Sequence, residues 1–186
     1  MKIYCTRSEL NRAINNVSHS IPTRTPSPIL EGILIETKDD RMYLTATDTN
    51  MTIESNIPVD SEGDVSFVIE EKNFANIVSK LPEEEILMDY NHEKNQIKIN
   101  SGKSSSTFNC FSADEFPRFN IGEGKKLILS KRDIKNLIRK TSFSASADEL
   151  NGVLTGILID LGDGNLRMVA VDTFRMAIYN AKVDTD

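Results

Sequence analysis

Tryptophan is absent from the 186 residues, and histidine and cysteine occur only twice each, which argues against several kinds of site. Cys5 and Cys110 lie far apart inside apolar runs without CxxC spacing, and His19 and His92 are the only other soft ligands. A structural zinc site is therefore not expected. The pattern predicts free, packed thiols in a reducing cytoplasm.

Long hydrophobic runs are also missing. Apolar stretches such as 32–35 extend over only a few residues, and the N-terminus enters an alternating strand pattern directly, so no membrane span or secretion signal is expected. No Walker loop, GxGxxG, GxSxG or HExxH motif occurs, and two histidines provide little material for acid–base catalysis. We therefore expect no catalytic residues, no metal and no cofactor.

What the sequence does contain is a long internal repeat. A shift of 124 positions aligns residues 2–59 with 126–183 without a gap, at 15 identities in 58 pairs. The densest match joins 30–49 to 154–173. A repeat of long period indicates an architecture assembled from copies of one unit. The chain therefore contains about one and a half units.

The hydrophobic periodicity predicts strand, helix and three strands, in that order, twice in the first unit. Because hairpin spacing dominates over crossovers, we expect an α+β fold with helices on one face of antiparallel sheets, not a doubly wound parallel sheet. Pro117, Gly122 and Gly124 mark a linker between a complete domain at 1–122 and the first half of a second at 123–186. Three helices are predicted: one directly after the first strand, one at 71–80 and one at 131–144. The predicted strands are 2–6, 28–37, 41–48, 51–58, 64–69, 84–90, 95–100, 104–111, 126–130, 152–161, 165–172 and 175–182.

The net charge of −6 argues by itself against nucleic acid, but it conceals a basic segment. Residues 125–140 sum to +6, which leaves −12 for the rest of the chain. Arg132, Lys135 and Arg139 recur at i, i+3 and i+7, so they share one helix face. The residues predicted to face the core from this helix are Ile134, Leu137, Ile138 and Thr141.

A second set of cations has similar spacing. Lys72, Asn76 and Lys80 are four residues apart and share a face of the helix at 71–80, and Arg24 lies in a proline-rich loop from which it could reach a phosphate. Basic faces on helices of successive repeats suggest a positive strip along a phosphate backbone. Without an aromatic platform or a base-reading helix, such binding would be electrostatic, indifferent to base sequence and sensitive to salt. Solvated helix faces and an exposed loop arginine are the alternatives.

Asp48 and Asp172 recur at equivalent positions of the repeat. One interpretation is a two-metal carboxylate site, which would make the protein a metal-dependent hydrolase or nuclease acting on nucleic acid. The other is that each aspartate begins a turn and accepts hydrogen bonds from backbone amides. The turn interpretation is favoured because the two residues belong to different units. Replacing both aspartates with alanine would distinguish the two interpretations, since only a hydrolase would lose a metal-dependent cleavage activity.

Several segments together point to one family. They are TPSPILEGILIE at 25–36, LTATDTNMTIE at 44–54, FSADEFP at 111–117, LTGILI at 154–159 and MVAVDTFRMAI at 168–178. In this order they resemble the bacterial sliding clamp, the beta subunit of DNA polymerase III.

The resemblance implies a DNA-clamp fold in which two chains of three such domains form a homodimeric ring, with helices lining a hole around duplex DNA. It implies a cytoplasmic, non-catalytic subunit of a DNA-directed DNA polymerase complex. Such a subunit encircles double-stranded DNA without sequence specificity and tethers the polymerase during replication.

The same resemblance implies three sets of site residues. DNA contacts would fall on Arg24, Lys72, Lys80, Arg132, Lys135 and Arg139. A pocket for peptides of the polymerase III catalytic subunit and the clamp loader would involve Leu154, Val171, Thr173, Phe174, Arg175 and Met176. The ring-closing edge would involve Phe74, Lys103, Ser104, Ser106 and Phe108, because an edge strand is suited to pairing with another chain.

This sequence departs from the family pattern in three respects. Phe174 stands where a histidine or tyrosine is usual, and Asn151-Gly152 replaces the Arg-Pro of many relatives. The third is length, because half of the second domain and all of a third have no counterpart. Either this is a fragment, or it is a naturally shortened clamp-like DNA-binding or assembly protein whose half units pair across a two-fold axis. A pure assembly protein with solvated basic faces is also left open.

Overall fold

The structure is a computed structural model that describes residues 1–82, 84–119, 127–162 and 164–182. It contains two compact units, Met1–Asn120 and Ile121–Asp186. The helices are α1 Arg7–Val17, α2 Glu71–Val78 and α3 Lys131–Thr141. The strands are β1 Lys2–Thr6, β2 Gly32–Lys38, β3 Arg41–Thr47, β4 Thr52–Pro58, β5 Asp60–Ser61, β6 Ser66–Glu70, β7 Glu85–Asn91, β8 Gln96–Ser101, β9 Ser104–Ser112, β10 Leu158–Gly162, β11 Asn165–Val171 and β12 Met176–Lys182.

Equivalent hydroxyl caps begin α1 and α3. The Thr6 hydroxyl accepts a hydrogen bond from the Glu9 amide at 3.4 Å and donates to the Glu9 carboxylate at 2.8 Å. At the corresponding place in the second unit, the Ser130 hydroxyl accepts from the Asp133 amide at 3.1 Å and donates to its carboxylate at 2.6 Å. Each pair satisfies an amide that the first helical turn leaves without a partner.

The bounds of the elements confirm the repeat. The helices α1 and α3 are displaced by the same 124 residues as the sequence match, and so are β3 and β11, and β4 and β12. Both helices are followed by a short 3-10 turn, at Ser18–Ser20 and Ser142–Ser144. The first unit and the described part of the second therefore share one local plan.

The strands of the first unit form a sheet in the order β4-β3-β2-β6-β9-β8-β7-β1-β5, with every pairing antiparallel. The first unit consists of two halves, β1 to β4 with α1 and β6 to β9 with α2. The first strand of each half pairs with the second strand of the other half. Thus β1 lies beside β7, with Lys2 opposite Asp89, and β6 lies beside β2, with Glu70 opposite Gly32. This exchange makes the two halves of the first unit interdependent.

A large apolar core holds the first unit together, beside a smaller cluster that includes Leu34, Val68 and Phe116. The buried sides of α1 and α2 and the inward residues of β1, β2, β6, β7 and β8 belong to a single cluster. Phe67 belongs to this core and is fully buried, and its ring stacks on Tyr90 with centroids 4.6 Å apart. The prediction of an α+β fold with helices on one face of antiparallel sheets is correct for this unit.

Several predicted bounds need correction because local turns replace the ends of elements. The strand predicted at 28–37 begins at Gly32, since Pro28–Glu31 forms a 3-10 turn. The helix predicted at 71–80 ends at Val78, and that predicted at 131–144 ends at Thr141. In the second unit, the strand predicted at 152–161 begins only at Leu158, because a 3-10 segment at Glu149–Thr155 takes the place of its first residues.

Two predictions for the second unit are wrong because tertiary partners decide them. No strand forms at residues 127–130, where one was predicted at 126–130; residue 126 lies outside the described residues. The equivalent β1 is held between β5 and β7, and the described part of the second unit contains no counterpart of β7. Ile138, predicted to face the core, is 45% exposed, whereas its repeat equivalent Ile14 is fully buried.

Gly32 and Gly156 provide a matched test of how tightly the repeats pack. A Cβ at Gly32 would lie 2.4 Å from the Val68 Cγ1 atom, whereas a Cβ at Gly156 would meet nothing closer than 3.5 Å. We expect Gly32→Ala to lower the free energy of unfolding by about 1–3 kcal/mol through overpacking. Gly156→Ala should have little effect, as urea denaturation followed by circular dichroism would show. An equal loss at both positions would contradict this explanation.

Candidate nucleic-acid and partner interfaces

The outward face of α3 carries three cations that are free to bind an anion. Arg132, Lys135 and Arg139 are exposed, and none forms an ion pair with any of the residues that the structure describes. The neighbouring Lys140 instead lies over the Tyr179 ring, with its Nζ atom 4.5 Å from the centroid. Because Leu137 and Thr141 anchor the opposite side of the helix, the free cations point away from the core.

Each helix of the first unit presents fewer free cations than α3 does. Arg12 and Lys72 are exposed on α1 and α2, while Lys80 lies just beyond the end of α2 and is also exposed. Arg7 is committed to the fold, because its guanidinium donates to the Leu81 carbonyl at 2.8 Å and lies 3.5 Å from the Glu84 carboxylate.

Arg24 lies in the loop between α1 and β2 and is exposed. It makes no ion pair within the described part of the chain. Its role in binding DNA stays a prediction, as do those of the helix cations.

Five of the six residues predicted to line a partner pocket cluster at the turn between β11 and β12. Val171 ends β11, Thr173 and Phe174 form the turn, and Arg175 and Met176 lead into β12. Phe174 is 95% exposed and Met176 is 60% exposed, so the turn presents apolar surface. Leu154, the sixth residue, lies in the 3-10 segment before β10, where its carbonyl accepts from the Ser146 amide at 2.9 Å.

Asp172 fixes the shape of this turn. Its Oδ1 atom accepts from the amides of Phe174 and Arg175, both at 2.8 Å, and its Oδ2 atom accepts from the Arg175 Nε atom at 3.0 Å. The Arg175 guanidinium also lies 5.8 Å from the centroid of the Phe143 ring. Phe143 was missed by the sequence analysis, because no periodic pattern links the end of α3 to a distant hairpin.

Asp48 forms the same turn in the first unit. Its Oδ1 atom accepts from the amides of Asn50 and Met51 at 2.8 and 2.7 Å. The interpretation of Asp48 and Asp172 as turn residues is therefore confirmed. Amide hydrogen bonds lower the pKa of both carboxyls. A lowered pKa stabilises each turn at pH values above the usual carboxyl pKa of about 3.9, and that contribution is lost as the pH falls through the lowered value.

The predicted ring-closing residues lie along one free strand edge. From Ser104 to Phe108, β9 pairs only with β8 among the described residues. Strand β6 pairs with the other edge of β9 only from Cys110 onwards. An open groove of about 700 Å³ separates this edge from α2. Phe74 is fully buried, and its ring packs edge-on against Phe108 with centroids 6.2 Å apart. Phe74 can therefore support the edge, but it presents no surface itself. Lys103 is exposed in the turn before β9.

The thiols and carboxylates form no reactive centre within the described residues. Both cysteines are free, as predicted, and burial raises the pKa of Cys5 and of Cys110 to about 12, so both remain protonated near neutral pH. No group of three or more histidine, cysteine or acidic side chains is arranged to hold a metal in the described ranges. None of the described helices is both long enough and apolar enough to cross a membrane.

The fold and these surfaces define a class of protein built from repeated strand–helix–three-strand units, with exposed cations on its helices. Family models locate the chain within that class. The model described as DNA polymerase III beta subunit, N-terminal domain, matches residues 1–120, and the model of the central domain matches residues 128–186. The chain belongs to the DNA polymerase III beta subunit family, the bacterial sliding clamps, as its sequence motifs indicated.

Individual relatives agree with this assignment. The chain is 35% identical to the beta sliding clamp of Halalkalibacterium halodurans over 92% of its own length and 47% of the relative's, and 33% identical to that of Bacillus subtilis over 99% and 51%. Its structure resembles the crystal structure of the Bacillus subtilis sliding clamp, with a TM-score of 0.93 at 32% identity over 100% of this chain and 51% of that one. The beta subunit from Streptococcus pyogenes gives a TM-score of 0.92 at 28% identity, and the chain covers 51% of it. The chain thus spans about half the length of the relatives that it matches.

Proposed function

We propose that this chain acts as a subunit, or as part of a subunit, of a sliding clamp for the bacterial replicative DNA polymerase III. In this role it encircles duplex DNA without sequence specificity and tethers the polymerase during replication. The observation that carries the proposal is the family match along nearly the whole chain. The proposed role is binding and scaffolding in the cytoplasm, without catalysis and without a cofactor.

The cations on the helices are the proposed DNA contacts. Arg132, Lys135 and Arg139 form the main group on α3, and Arg24, Lys72 and Lys80 contribute from the first unit. Their freedom from ion pairs among the described residues supports this role, because a committed side chain would have to break a contact before binding a phosphate. Cationic side chains without base-reading partners favour contacts to the phosphate backbone.

The turn between β11 and β12 is the proposed contact for peptides of the polymerase catalytic subunit and the clamp loader. Val171, Thr173, Phe174, Arg175 and Met176 would contact the peptide there, together with Leu154. The exposure of Phe174 and Met176 supports this role, because an apolar peptide side chain gains by removing such surface from water. The Asp172 hydrogen bonds hold the turn in shape before binding, which reduces the ordering cost.

The β9 edge is the proposed ring contact of a homodimer. The edge of β9 that faces away from β8 can extend the sheet into a partner along the stretch that contains Ser104, Ser106 and Phe108, with Lys103 at the rim and Phe74 supporting Phe108 from the core. We further propose that residues 1–122 form one complete clamp domain and that 123–186 correspond to the first half of the next.

Retention on DNA of different topology tests the proposed function. The experiment uses the native protein. Its length is first established by measuring the intact mass of the protein isolated from its own cells. Loaded by a clamp loader onto a nicked circular plasmid, it should co-elute with the DNA in gel filtration. Cutting the plasmid once should release it, because a ring slides off a free end. Equal release from circular and linear DNA would overturn the proposal.

A further inference from the structure

The outward face of α1 lacks the cations that its repeat equivalent carries. Both helices begin at hydroxyl caps and have the same length, so their positions correspond residue by residue. At these positions α1 is neutral and mostly amide where α3 is cationic. The equivalent pairs are Ser8 and Arg132, Asn11 and Lys135, Asn15 and Arg139, and Asn16 and Lys140.

The other helix of the first unit keeps part of the cationic pattern. β1 and β6, which precede α1 and α2, have the same length and end at the respective helix caps, so α1 and α2 also correspond. Lys72 then stands at the position of Ser8, and Lys80 at that of Asn16. At the positions of Asn11 and Asn15 the first unit's second helix region carries Ala75 and Ser79. Of the three helices, α1 alone therefore lacks a cation at all four positions, and it retains only Arg12 at the centre of its outward face.

Neither packing nor helix stability explains the amides. Asn15 and Asn16 are exposed, Asn11 is half-buried, and within the described residues none of their side-chain amides makes a hydrogen bond. Asparagine is a weaker helix former than lysine or arginine, so three of them in one short helix weaken it without a local gain. An amide can donate to phosphate or sugar oxygens, directly or through water.

We infer that the amide face of α1, defined by Asn11, Asn15 and Asn16, contacts the backbone of duplex DNA through neutral hydrogen bonds. α3 then supplies most of the salt-dependent attraction. Neutral donors release no condensed counterions, so these contacts add affinity without adding to the salt dependence. They also exchange readily with water, which suits a surface that moves along DNA. The inference rests on the proposed function, because it requires the helix faces to meet DNA.

Installing the α3 pattern on α1 tests the inference. The Asn11→Lys/Asn15→Lys variant should bind a fluorescently labelled duplex more tightly at low salt. The slope of log affinity against log salt should steepen by roughly 0.9 per added cation. Conversely, the Asn11→Ala/Asn15→Ala/Asn16→Ala variant should lose affinity by a similar factor at every salt concentration, with its slope unchanged. Fluorescence anisotropy across a salt series measures both quantities.

Two controls separate the possible outcomes. Glu54→Gln/Glu93→Gln adds the same net charge through exposed sheet and turn residues and should leave the slope unchanged. If the lysine variant leaves the slope unchanged while alanine at Arg132, Lys135 and Arg139 reduces it, the inference is wrong and the proposed function stands. If neither variant changes binding, the helix faces do not meet DNA and the proposed function fails as well.

Discussion

Replacing Arg132, Lys135 and Arg139 of α3 with alanine is expected to reduce the salt dependence of DNA binding by roughly 2.7 units of slope, about 0.9 for each phosphate contact. At about 0.1 M salt this corresponds to a loss of affinity of roughly two to three orders of magnitude. The helix itself should persist, because the three side chains face solvent and alanine is the strongest helix former. Anisotropy titrations of a labelled duplex over a salt series provide the measurement.

The matched control removes the same charge from the sheets. Lys38, Lys94 and Lys98 are exposed, make no ion pair with described residues, and lie on strands or at a strand turn. Alanine at these three positions should change the slope far less than the α3 variant does. If both triple variants behaved alike, net charge rather than the α3 face would govern binding.

Replacing Phe67 with alanine is expected to cause a large loss of stability in the first unit. The side chain is fully buried, it stacks on Tyr90, and β6 positions it between strands of both halves. Removing a ring of this size from a packed core costs about 3–5 kcal/mol, through lost transfer free energy and the cavity left behind. Guanidinium denaturation followed by far-ultraviolet circular dichroism would measure the change in the free energy of unfolding.

Phe119→Ala is the control for this experiment, since Phe119 is 49% exposed and should lose little stability when truncated. Phe67→Leu, which keeps more of the volume, should fall between the two. A loss below about 1 kcal/mol for Phe67→Ala would mean that the core collapses around the gap or that the stacked pair contributes little.

The candidate sites were predictable to different degrees. The helix spacing of Arg132, Lys135 and Arg139 put them on one face in advance, because an amphipathic helix separates its polar and apolar sides by periodicity alone. The turns at Asp48 and Asp172 were also readable, because an aspartate side chain satisfies amides within its own turn. The contact between Arg175 and Phe143 was not, because it joins segments that no local rule relates.

Sequence alone determined the repeat, the cationic face of α3 and the antiparallel α+β plan, since these depend on periodicity, capping and turn residues within each unit, and its motifs indicated the family by resemblance. Tertiary structure decided what depends on a partner elsewhere in the chain. It made residues 2–6 a strand between β5 and β7 but not residues 127–130, and it buried Ile14 while Ile138 stays 45% exposed. The reason is that a strand requires a neighbour for its hydrogen bonds and an apolar side chain requires a surface to cover it. Neither requirement is encoded in the segment itself.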